Sequence, residues 1–252
     1  MMTVTAESKE EVFTLTDVES VLPLKSWWAM LAVLPLVRRL TLLTVNCTPI
    51  TPNVITVASI LLRLLAAWCY FEATRTLLVL GALLFYCSYV LDCMDGAVAR
   101  LKKMSSSFGR YLDHMGDLLG GAIAVTALAY GQNMLWTSLA AGLLFCHVTE
   151  YYISYLSSNI LELRKGQSVE PSSFWSKGLV GVYVRYRQNF HGKNMKSFFS
   201  FPDYEALVFL VFPLLGLPAL GLTVGFFVAL VIILYTIFST FVMLHSGGKV
   251  FP

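Results

Sequence analysis

The sequence has few charged residues for its length. Lys, Arg, Asp and Glu make up 13% of the 252 residues, and 57% of the residues are hydrophobic. A typical soluble domain is about one quarter charged. This shortage argues against a soluble globular protein and against a disordered one. The net charge of +3 is too small to indicate a nucleic-acid partner.

Three common sequence motifs are also missing. None of the five cysteines forms a CxxC pair, so neither a zinc site nor a disulfide framework is indicated. The first twenty residues contain five acidic residues, which is the wrong charge for the start of a secretory signal. No Gly-Lys-Ser/Thr sequence is present, which excludes a Walker phosphate-binding loop.

The sequence is rich in apolar segments. A membrane crossing takes about 20 apolar residues, so six crossings fit within this length and leave room for loops. The candidate segments run from about Pro52 to Glu72, Thr76 to Ala99, Phe108 to Tyr130, Met134 to Ser157, Tyr204 to Leu217 and Ala219 to Leu244. Pro213 and Pro218 blur the boundary between the last two segments. We predict an all-α fold, a polytopic membrane helix bundle with six transmembrane helices.

The rest of the chain is divided around these segments. Residues 1–25 are predicted to form a polar N-terminal tail. Residues 26–48 are apolar but interrupted by Pro35 and by two arginines, which suits an interfacial amphipathic helix. The alternative for this region is a degenerate first span. Residues 49–252 form the predicted six-helix membrane domain, with a basic insert at 158–203 between its fourth and fifth helices.

The charges of the loops predict the orientation of the helices. The turn after the second segment and the insert carry these basic residues: Arg100, Lys102, Lys103, Arg110, Arg164, Lys165, Lys177, Arg185, Arg187, Lys193 and Lys196. The only charged residues in the loops predicted at the opposite end are Glu72 and Arg75. Because basic loops stay in the cytoplasm, we expect an integral, multi-pass membrane protein with both termini cytoplasmic.

Four aspartates lie where carboxylates are energetically costly. Asp92 and Asp95 are near the cytoplasmic end of the second segment, and Asp113 and Asp117 are near the start of the third. Acidic residues at membrane depth are rare and indicate function. Spacings of three and four residues place each pair on one helical face, and the short turn makes the two helices antiparallel neighbours. We therefore expect the four carboxylates to converge, as oxygen ligands of the kind that Mg²⁺ or Mn²⁺ prefers.

The residues around this turn indicate a phosphate-bearing substrate. Small residues and an arginine lie beside the aspartates: Gly96, Ala99, Arg100 and Gly109. Glycine allows a ligand to approach the backbone closely, and an arginine can hold a phosphate with two hydrogen bonds. The alternative is a set of buried salt bridges between the acids and Arg63, Arg100 and Arg110. Four acids facing so few bases make that account the weaker one.

This stretch resembles the signature of a known family. The pattern is Asp92-x-x-Asp95-Gly96-x-x-Ala99-Arg100, then eight residues, Gly109, three residues, Asp113, three residues and Asp117. The pattern resembles the signature of the CDP-alcohol phosphatidyltransferase family, and the residues at all eight of its defining positions match. The resemblance also covers Pro52-Asn53-x-x-Thr56, the six spans and the preceding interfacial helix. It does not cover residues 1–25 or about 158–203.

The resemblance implies a transfer reaction and the residues that perform it. Such enzymes move the substituted phosphate of a CDP-linked alcohol onto an acceptor hydroxyl and release CMP. The implied ligands of one or two divalent ions, Mg²⁺ or Mn²⁺, are Asp92, Asp95, Asp113 and Asp117. Asp117 would also be the general base. The implied nucleotide and diphosphate site is formed by Asn53, Thr56, Gly96, Ala99, Arg100 and Gly109. The resemblance also implies a homodimer.

Several polar residues outside the signature have more than one interpretation. Candidates for contacts to the acceptor are Arg63, Arg185, Arg187, Lys193 and Lys196. Arg63 either pairs with an aspartate or with Glu150, or it contacts substrate. The basic residues of the insert either bind an acceptor phosphate, contact anionic lipids or only set the membrane topology. His147 and Glu150 form either a polar cavity or acceptor site, or a polar contact between helices or between the subunits of a dimer. Asp203 and Glu205 suit the N-terminus of the fifth helix.

Two classes of function fit these features. A membrane transporter or cation channel would place acidic residues in several spans near the midplane. Here the acids cluster at one end of two consecutive helices, which favours the enzyme, acting in phospholipid or related phosphodiester biosynthesis. The CDP-linked group is either diacylglycerol, with a small polar acceptor, or a polar alcohol, with a lipid or soluble acceptor. Membrane lipids are expected partners in both cases.

Overall fold

The computed structural model describes residues 12–22, 26–163, 178–192 and 195–245. Within these ranges the chain is helical and contains no β-strand. In chain order the α-helices are α1 (Leu15–Val21), α2 (Leu34–Cys47), α3 (Pro52–Glu72), α4 (Arg75–Leu101), α5 (Ser107–Gly131), α6 (Ser138–Leu163), α7 (Gly178–Gly192), α8 (Phe201–Ala206), α9 (Phe212–Leu215) and α10 (Pro218–His245). π-helical segments at Ala29–Val33 and Leu207–Val211 precede α2 and α9.

Among the residues that the structure describes, four helical runs are long and apolar enough to cross a membrane, which indicates an integral membrane protein. They are Ala29–Cys47, Pro52–Glu72, Arg75–Leu101 and Pro218–His245. The last three agree with the predicted first, second and sixth segments to within two residues at each end. The first of the four runs lies in the region that the sequence predicts to be interfacial.

The predicted third and fourth segments correspond to α5 and α6. The prediction for α5 agrees with the structure to within one residue at each end. Both predicted bounds of α6, Met134 and Ser157, are wrong, because the helix begins at Ser138 and continues to Leu163, inside the predicted insert. The residues between α5 and α6 form a turn, in which the backbone N–H of Met134 donates a hydrogen bond to the carbonyl of Ala129 over 2.8 Å. The hydroxyl of Thr137 then caps the helix by accepting a hydrogen bond from the backbone N–H of Ala140.

The predicted fifth segment is not one regular helix. It consists of α8, the π-helical segment Leu207–Val211 and the short helix α9. Pro213 lies in α9 and has no N–H to donate to the carbonyl of Phe209, four residues earlier. The hydroxyl of Tyr70 in α3 donates a hydrogen bond to that carbonyl instead. The irregular segment is therefore satisfied by a side chain from a neighbouring helix.

Helices α3, α4 and α5 pack against one another and position the signature. Ala73 ends α3 in a left-handed conformation with φ of 51°, and Thr74 caps the start of α4. A two-residue connection makes α3 and α4 antiparallel neighbours. The buried residues of α3 recur at three- and four-residue spacings: Ile55, Thr56, Ser59, Arg63, Ala66, Ala67 and Tyr70. One face of α3 therefore points to α4 and α5, and the other carries the exposed apolar side chains.

The described part of the chain has two clusters of buried apolar side chains. The larger one joins α3, α4 and α5 to α6, α8 and α10, with Tyr70, Leu128 and Phe209 near its centre. The smaller one joins α1, α2 and the last turns of α4, and it includes Val18 and Val37. Residues 15–21, inside the predicted polar tail, thus form a helix that packs against the signature-bearing end of α4.

Candidate active site

The turn between α4 and α5 is held in place at both of its ends. The hydroxyl of Ser106 caps α5 by accepting a 2.9 Å hydrogen bond from the backbone N–H of Gly109. The Nζ of Lys102 donates to the carbonyls of Thr48 and Ile50 over 2.8 Å and 3.0 Å. These carbonyls belong to the connection between α2 and α3, so the starts of α3 and α5 and the end of α4 lie together.

Three of the four signature aspartates come together between α4 and α5. Asp92, Asp113 and Asp117 each offer a carboxylate oxygen, and these oxygens lie within 4.8 Å of one another. Each of the three side chains is partly exposed. We call these three residues the carboxylate cluster. Its geometry suits a divalent cation, because hard cations bind several carboxylate oxygens at one point.

Asp95 is held on the α3 side of this cluster. Its side chain is buried, and one carboxylate oxygen accepts a hydrogen bond from the hydroxyl of Thr56. The same hydroxyl lies 3.2 Å from the carbonyl of Pro52 in its own helix. Thr56 thus fixes the orientation of Asp95 from a neighbouring helix. The structure separates Asp95 from the other three aspartates in this respect, although all four lie on the same pair of helices.

Arg63 of α3 forms an ion pair with the carboxylate cluster. Its Nη1 lies 2.6 Å from the Oδ1 of Asp117, and the guanidinium carbon lies 5.7 Å from the centre of the Phe85 ring. The Arg63 side chain is 3% exposed, whereas that of Asp117 is 29% exposed. The predicted pairing of Arg63 with an aspartate is confirmed. A buried guanidinium therefore supplies positive charge beside three acids.

Arg100 lies at the end of α4 and is exposed. Its Nε donates a 2.8 Å hydrogen bond to the carbonyl of Val21, at the end of α1. Its guanidinium lies close to Gly96, because a Cβ added at that glycine would be 3.3 Å from both Nη atoms. Glycine at this position therefore leaves space for the guanidinium one turn further along the helix.

The other nucleotide-site candidates lie at the same end of the three helices. Asn53 is exposed in the first turn of α3, and its Oδ1 would be 3.1 Å from a Cβ added at Gly109 in α5. Ala99 is partly buried, and its carbonyl accepts a 2.8 Å hydrogen bond from the backbone N–H of Met104. The absence of a side chain at Gly109 lets Asn53 and Ser106 approach the start of α5 closely.

Behind the carboxylate cluster lies a second set of polar side chains, which we call the buried polar group. It consists of His147, Glu150, Tyr204 and Glu205, all 5% exposed or less. A Cβ added at Gly121 would collide with the His147 ring and lie 3.0 Å from the Oε1 of Glu205. Glu150 accepts hydrogen bonds from Ser154 in its own helix and from Thr236 in α10. For Glu150 the contact between helices is therefore the observed arrangement.

The sequence predicts Glu205 at the start of a helix, whereas the structure buries its side chain. Asp203, two residues earlier, does cap α8, because its Oδ2 accepts from the backbone N–H and hydroxyl of Ser200. The signal that could have located Glu205 is the Gly120-Gly121 pair. These glycines follow Asp117 by three and four residues, so they share its helical face. Two side chains from other helices can approach that face closely.

Most of the chain matches one known protein family. Residues 49–247 match the family described as CDP-alcohol phosphatidyltransferase, and this range includes the whole signature. The chain belongs to this family. The segment before residue 49, which contains α1 and α2, lies outside the match.

Individual CDP-alcohol phosphatidyltransferases are similar to part of the chain. The CDP-diacylglycerol–serine O-phosphatidyltransferase of Helicobacter pylori is 32% identical over 104 residues, which are 40% of this chain and 43% of that protein. The CDP-diacylglycerol–inositol 3-phosphatidyltransferase of Drosophila melanogaster is 34% identical over 99 residues, 38% of this chain and 42% of that protein. The archaetidylinositol phosphate synthase of Pyrococcus horikoshii is 29% identical over 102 residues, 40% of this chain and 53% of that protein. The chain thus spans about half the length, or less, of the curated relatives it matches.

The basic residues of the insert lie away from the signature in the chain. Arg185 and Arg187 are on α7, where Tyr183 donates a hydrogen bond to the Tyr235 hydroxyl of α10 over 3.2 Å. Lys196 lies between α7 and α8 and is partly buried. Burial lowers the pKa of Lys196, an effect opposed by the negative charges of Glu150 and Asp203. Lys193 and residues 164–177 lie outside the described residues.

Proposed function

We propose that this chain is a membrane phosphotransferase that moves a substituted phosphate from a CDP-alcohol to an acceptor hydroxyl and releases CMP. The observation that carries the proposal is the carboxylate cluster, whose oxygens lie within 4.8 Å of one another at three signature positions. The family match gives no support to the alternative of a transporter or cation channel. We further propose that residues 49–252 form the catalytic domain.

The donor set fits a divalent cation. Carboxylate oxygens are the ligands that Mg²⁺ and Mn²⁺ prefer, and Mg²⁺ commonly binds through a few carboxylates together with substrate phosphates. We propose that one or two such ions are held by Asp92, Asp95, Asp113 and Asp117. The partial exposure of the carboxylate cluster supports access by a diphosphate. When bound, the ions neutralise the diphosphate and stabilise the leaving CMP.

We propose Asp117 as the general base. One of its oxygens, Oδ1, accepts the hydrogen bond from Arg63, which leaves Oδ2 for the acceptor hydroxyl. In the proposed reaction Asp117 takes the proton of the acceptor hydroxyl. At the same time the oxygen of that hydroxyl bonds to the phosphorus that carries the substituted alcohol of the donor. The bond between this phosphorus and the bridging oxygen breaks in line with the attack, and the electron pair leaves with CMP.

The cytidine diphosphate is proposed to bind at the shared end of α3, α4 and α5. The proposed contacts are Asn53, Thr56, Gly96, Ala99, Arg100 and Gly109. Three observations support this location: the exposed Asn53 beside Gly109, the Arg100 guanidinium beside Gly96, and the hydroxyl of Thr56 on Asp95. A planar guanidinium can bind two oxygens of one phosphate.

The relatives favour one choice of donor. The printed names of the Helicobacter pylori and Drosophila melanogaster proteins specify CDP-diacylglycerol with serine or inositol. We therefore propose CDP-diacylglycerol as the donor and a small polar alcohol as the acceptor. The proposed acceptor contacts are Arg63, Arg185, Arg187, Lys193 and Lys196. For Arg63 this is supported by its Nε and Nη2, which have no hydrogen-bond partner among the described residues.

The arrangement in the membrane is also a proposal. We propose six transmembrane helices preceded by an interfacial helix, with both termini and the active site on the cytoplasmic side and membrane lipids in contact with the helices. The basic residues around the α4–α5 turn support this orientation. Reporter fusions at the two termini test it, and a periplasmic or lumenal reporter signal would contradict it. The homodimer implied by the resemblance stays a prediction, and the mass of the purified protein in detergent tests it.

A direct test is CMP release by the purified full-length protein. The assay would combine CDP-diacylglycerol with serine, inositol, inositol phosphate or glycerol 3-phosphate, with and without Mg²⁺ or Mn²⁺. CDP-choline and CDP-ethanolamine with diacylglycerol would test the opposite choice of donor. We expect metal-dependent CMP release with one acceptor, and its loss in Asp92→Asn. Glu72→Gln, an equivalent change at the exposed far end of α3, should retain the activity. No CMP from any CDP-alcohol would contradict the proposed function.

A further inference from the structure

Helix α1 contacts the signature although it precedes the part of the chain that matches the family. The match begins at residue 49, whereas α1 spans Leu15–Val21. The carbonyl of Val21 accepts the 2.8 Å hydrogen bond from the Nε of Arg100. A residue of the signature is therefore held by a backbone group outside the family region.

This hydrogen bond constrains the part of Arg100 that would bind a phosphate. Nε lies in the same plane as the two Nη groups of a guanidinium, so a bond at Nε restricts rotation of the whole fork. The fork lies beside Gly96, whose missing side chain leaves 3.3 Å between a notional Cβ and each Nη. Arg100 is otherwise exposed, and a free arginine side chain loses considerable rotamer entropy on binding a ligand. Prior restriction reduces that loss.

Helix α1 is itself docked by several contacts. The Val18 side chain is completely buried in the smaller apolar cluster with α2 and α4. The side chain of Asn46 in α2 pairs with the backbone of Phe13, accepting from its N–H over 2.9 Å and donating to its carbonyl over 3.0 Å. Glu19 forms a 3.1 Å ion pair with Arg38, but exposed pairs of this kind contribute little. Val18 and Asn46 are therefore two docking contacts that single substitutions can remove.

The start of α1 is also stabilised. Thr14 and Asp17 form a capping box, in which the Asp17 carboxylate accepts hydrogen bonds from the backbone N–H and hydroxyl of Thr14. These hydrogen bonds lower the pKa of Asp17. A short helix needs such support, because isolated helices of this length are unstable in water. The C-terminal carbonyl of α1 thus has a defined position relative to α4.

We propose that α1 is a positioning element of the active site: the Val21 carbonyl orients the Arg100 guanidinium for the diphosphate of the CDP-linked donor. The inference rests on the proposed function, because it takes Arg100 to contact that diphosphate. Helix α1 touches Arg100 and not the reacting atoms, so it acts on donor binding through the arginine. A purely structural α1 would instead affect the enzyme independently of Arg100.

The test is a double-mutant cycle in the full-length protein, read as the KM for the CDP-linked donor and the kcat for CMP release. Val18→Asp places a carboxylate in the buried docking site, and Asn46→Ala removes the paired hydrogen bonds to Phe13. Each is combined with Arg100→Ala. Thr16→Asp puts the same carboxylate on an exposed position of α1 and serves as the matched control. Thermal unfolding in detergent shows which variants remain folded, and Asn46→Ala keeps the test valid if Val18→Asp does not fold.

We expect either docking variant to raise the donor KM about tenfold, the effect of losing one hydrogen bond to a charged group, with kcat changed less. In the Arg100→Ala background the same variants should leave the donor KM unchanged, because nothing remains to be positioned. Equal effects in both backgrounds, or no effect with Arg100 present, would overturn the proposal. If Arg100→Ala itself leaves the donor KM unchanged, the inference fails while metal-dependent CMP release still supports the proposed reaction.

Discussion

The carboxylate cluster and the buried polar group use the same kinds of side chain in different surroundings. Asp92, Asp113 and Asp117 are partly exposed, and their oxygens converge within 4.8 Å. Glu150 and Glu205 are 2% and 5% exposed, and Glu150 is hydrogen-bonded to hydroxyls of two helices. Scarce acids in an apolar chain therefore have two uses. Convergence of the carboxylates together with their partial exposure distinguishes the proposed active site from a contact between helices.

The largest effect is expected at Asp117. Asp117→Asn removes the proposed base while keeping the size of the side chain, so kcat for CMP release should fall about 10²- to 10⁴-fold, the range for loss of general base catalysis. Single-turnover and steady-state CMP release measure this effect. Unchanged CMP release would show that Asp117 is not the base and would remove the main functional difference between the two regions.

Arg63, the ion-pair partner of the carboxylate cluster, should have the next largest effect. Arg63→Met leaves Asp117 without its charged partner, and we expect kcat or metal affinity to fall about 10- to 100-fold, as for other residues that orient metal ligands. Arg63→Lys keeps the charge but loses the planar fork, so it should recover part of the loss. Titration of activity with Mg²⁺ and Mn²⁺ measures both variants. Equal losses in the two variants would argue that geometry, and not charge, is what Arg63 contributes.

A smaller effect is expected at Thr56. Thr56→Val removes the hydroxyl that orients Asp95 while preserving the shape of the side chain. The bond is from a neutral donor, so we expect about a tenfold decrease in metal affinity, near the lower end for residues that orient metal ligands. Thr56→Ser retains the hydroxyl and is the control. A Thr56→Val protein with normal metal dependence would mean that Asp95 does not depend on this contact for its role.

The smallest effect on activity is expected at Glu150. Glu150→Gln retains an oxygen that can accept hydrogen bonds from Ser154 and Thr236, so kcat should change less than about twofold and stability by about 1 kcal/mol. Glu150→Leu leaves both hydroxyls without this acceptor and should lower the unfolding temperature further with little change in kcat. Thermal unfolding and CMP release are measured together. A large loss of kcat in Glu150→Gln would show that the buried polar group takes part in the chemistry.

Long periodic segments and the signature spacing were the most predictable features. The predicted first, second, third and sixth segments agree with α3, α4, α5 and α10 to within two residues at each end, because long apolar runs bounded by polar turns have few alternatives. The break in the fifth segment was not predictable in detail. It depends on Pro213 and on a hydroxyl from Tyr70, which is distant in sequence. The start of α6 was misplaced because the apolar residues 134–136 lie in a turn.

In the candidate site, too, local spacing was predictable, whereas contacts between residues distant in sequence were not. Spacings of three and four residues were enough to expect convergence of Asp92, Asp113 and Asp117, since i to i+3 and i to i+4 positions share a helical face. The same rule placed Asp95 with them, but the Thr56 hydroxyl holds Asp95 towards α3. The contact between α1 and Arg100 was not predictable, because the sequence of residues 1–25 indicates only a polar tail. Only one side chain of that helix, Val18, is buried in the described structure.

The sequence by itself determined the class of protein, the positions of the long helices and the pair of helices that carry the acids, because these depend on composition and on local periodicity. The tertiary structure decided which partners the polar side chains have. Arg63 pairs with Asp117, Thr56 orients Asp95, and the end of α1 holds Arg100. These contacts join residues that are 39 to 79 positions apart in the chain, so their geometry depends on how the helices pack and not on any local pattern.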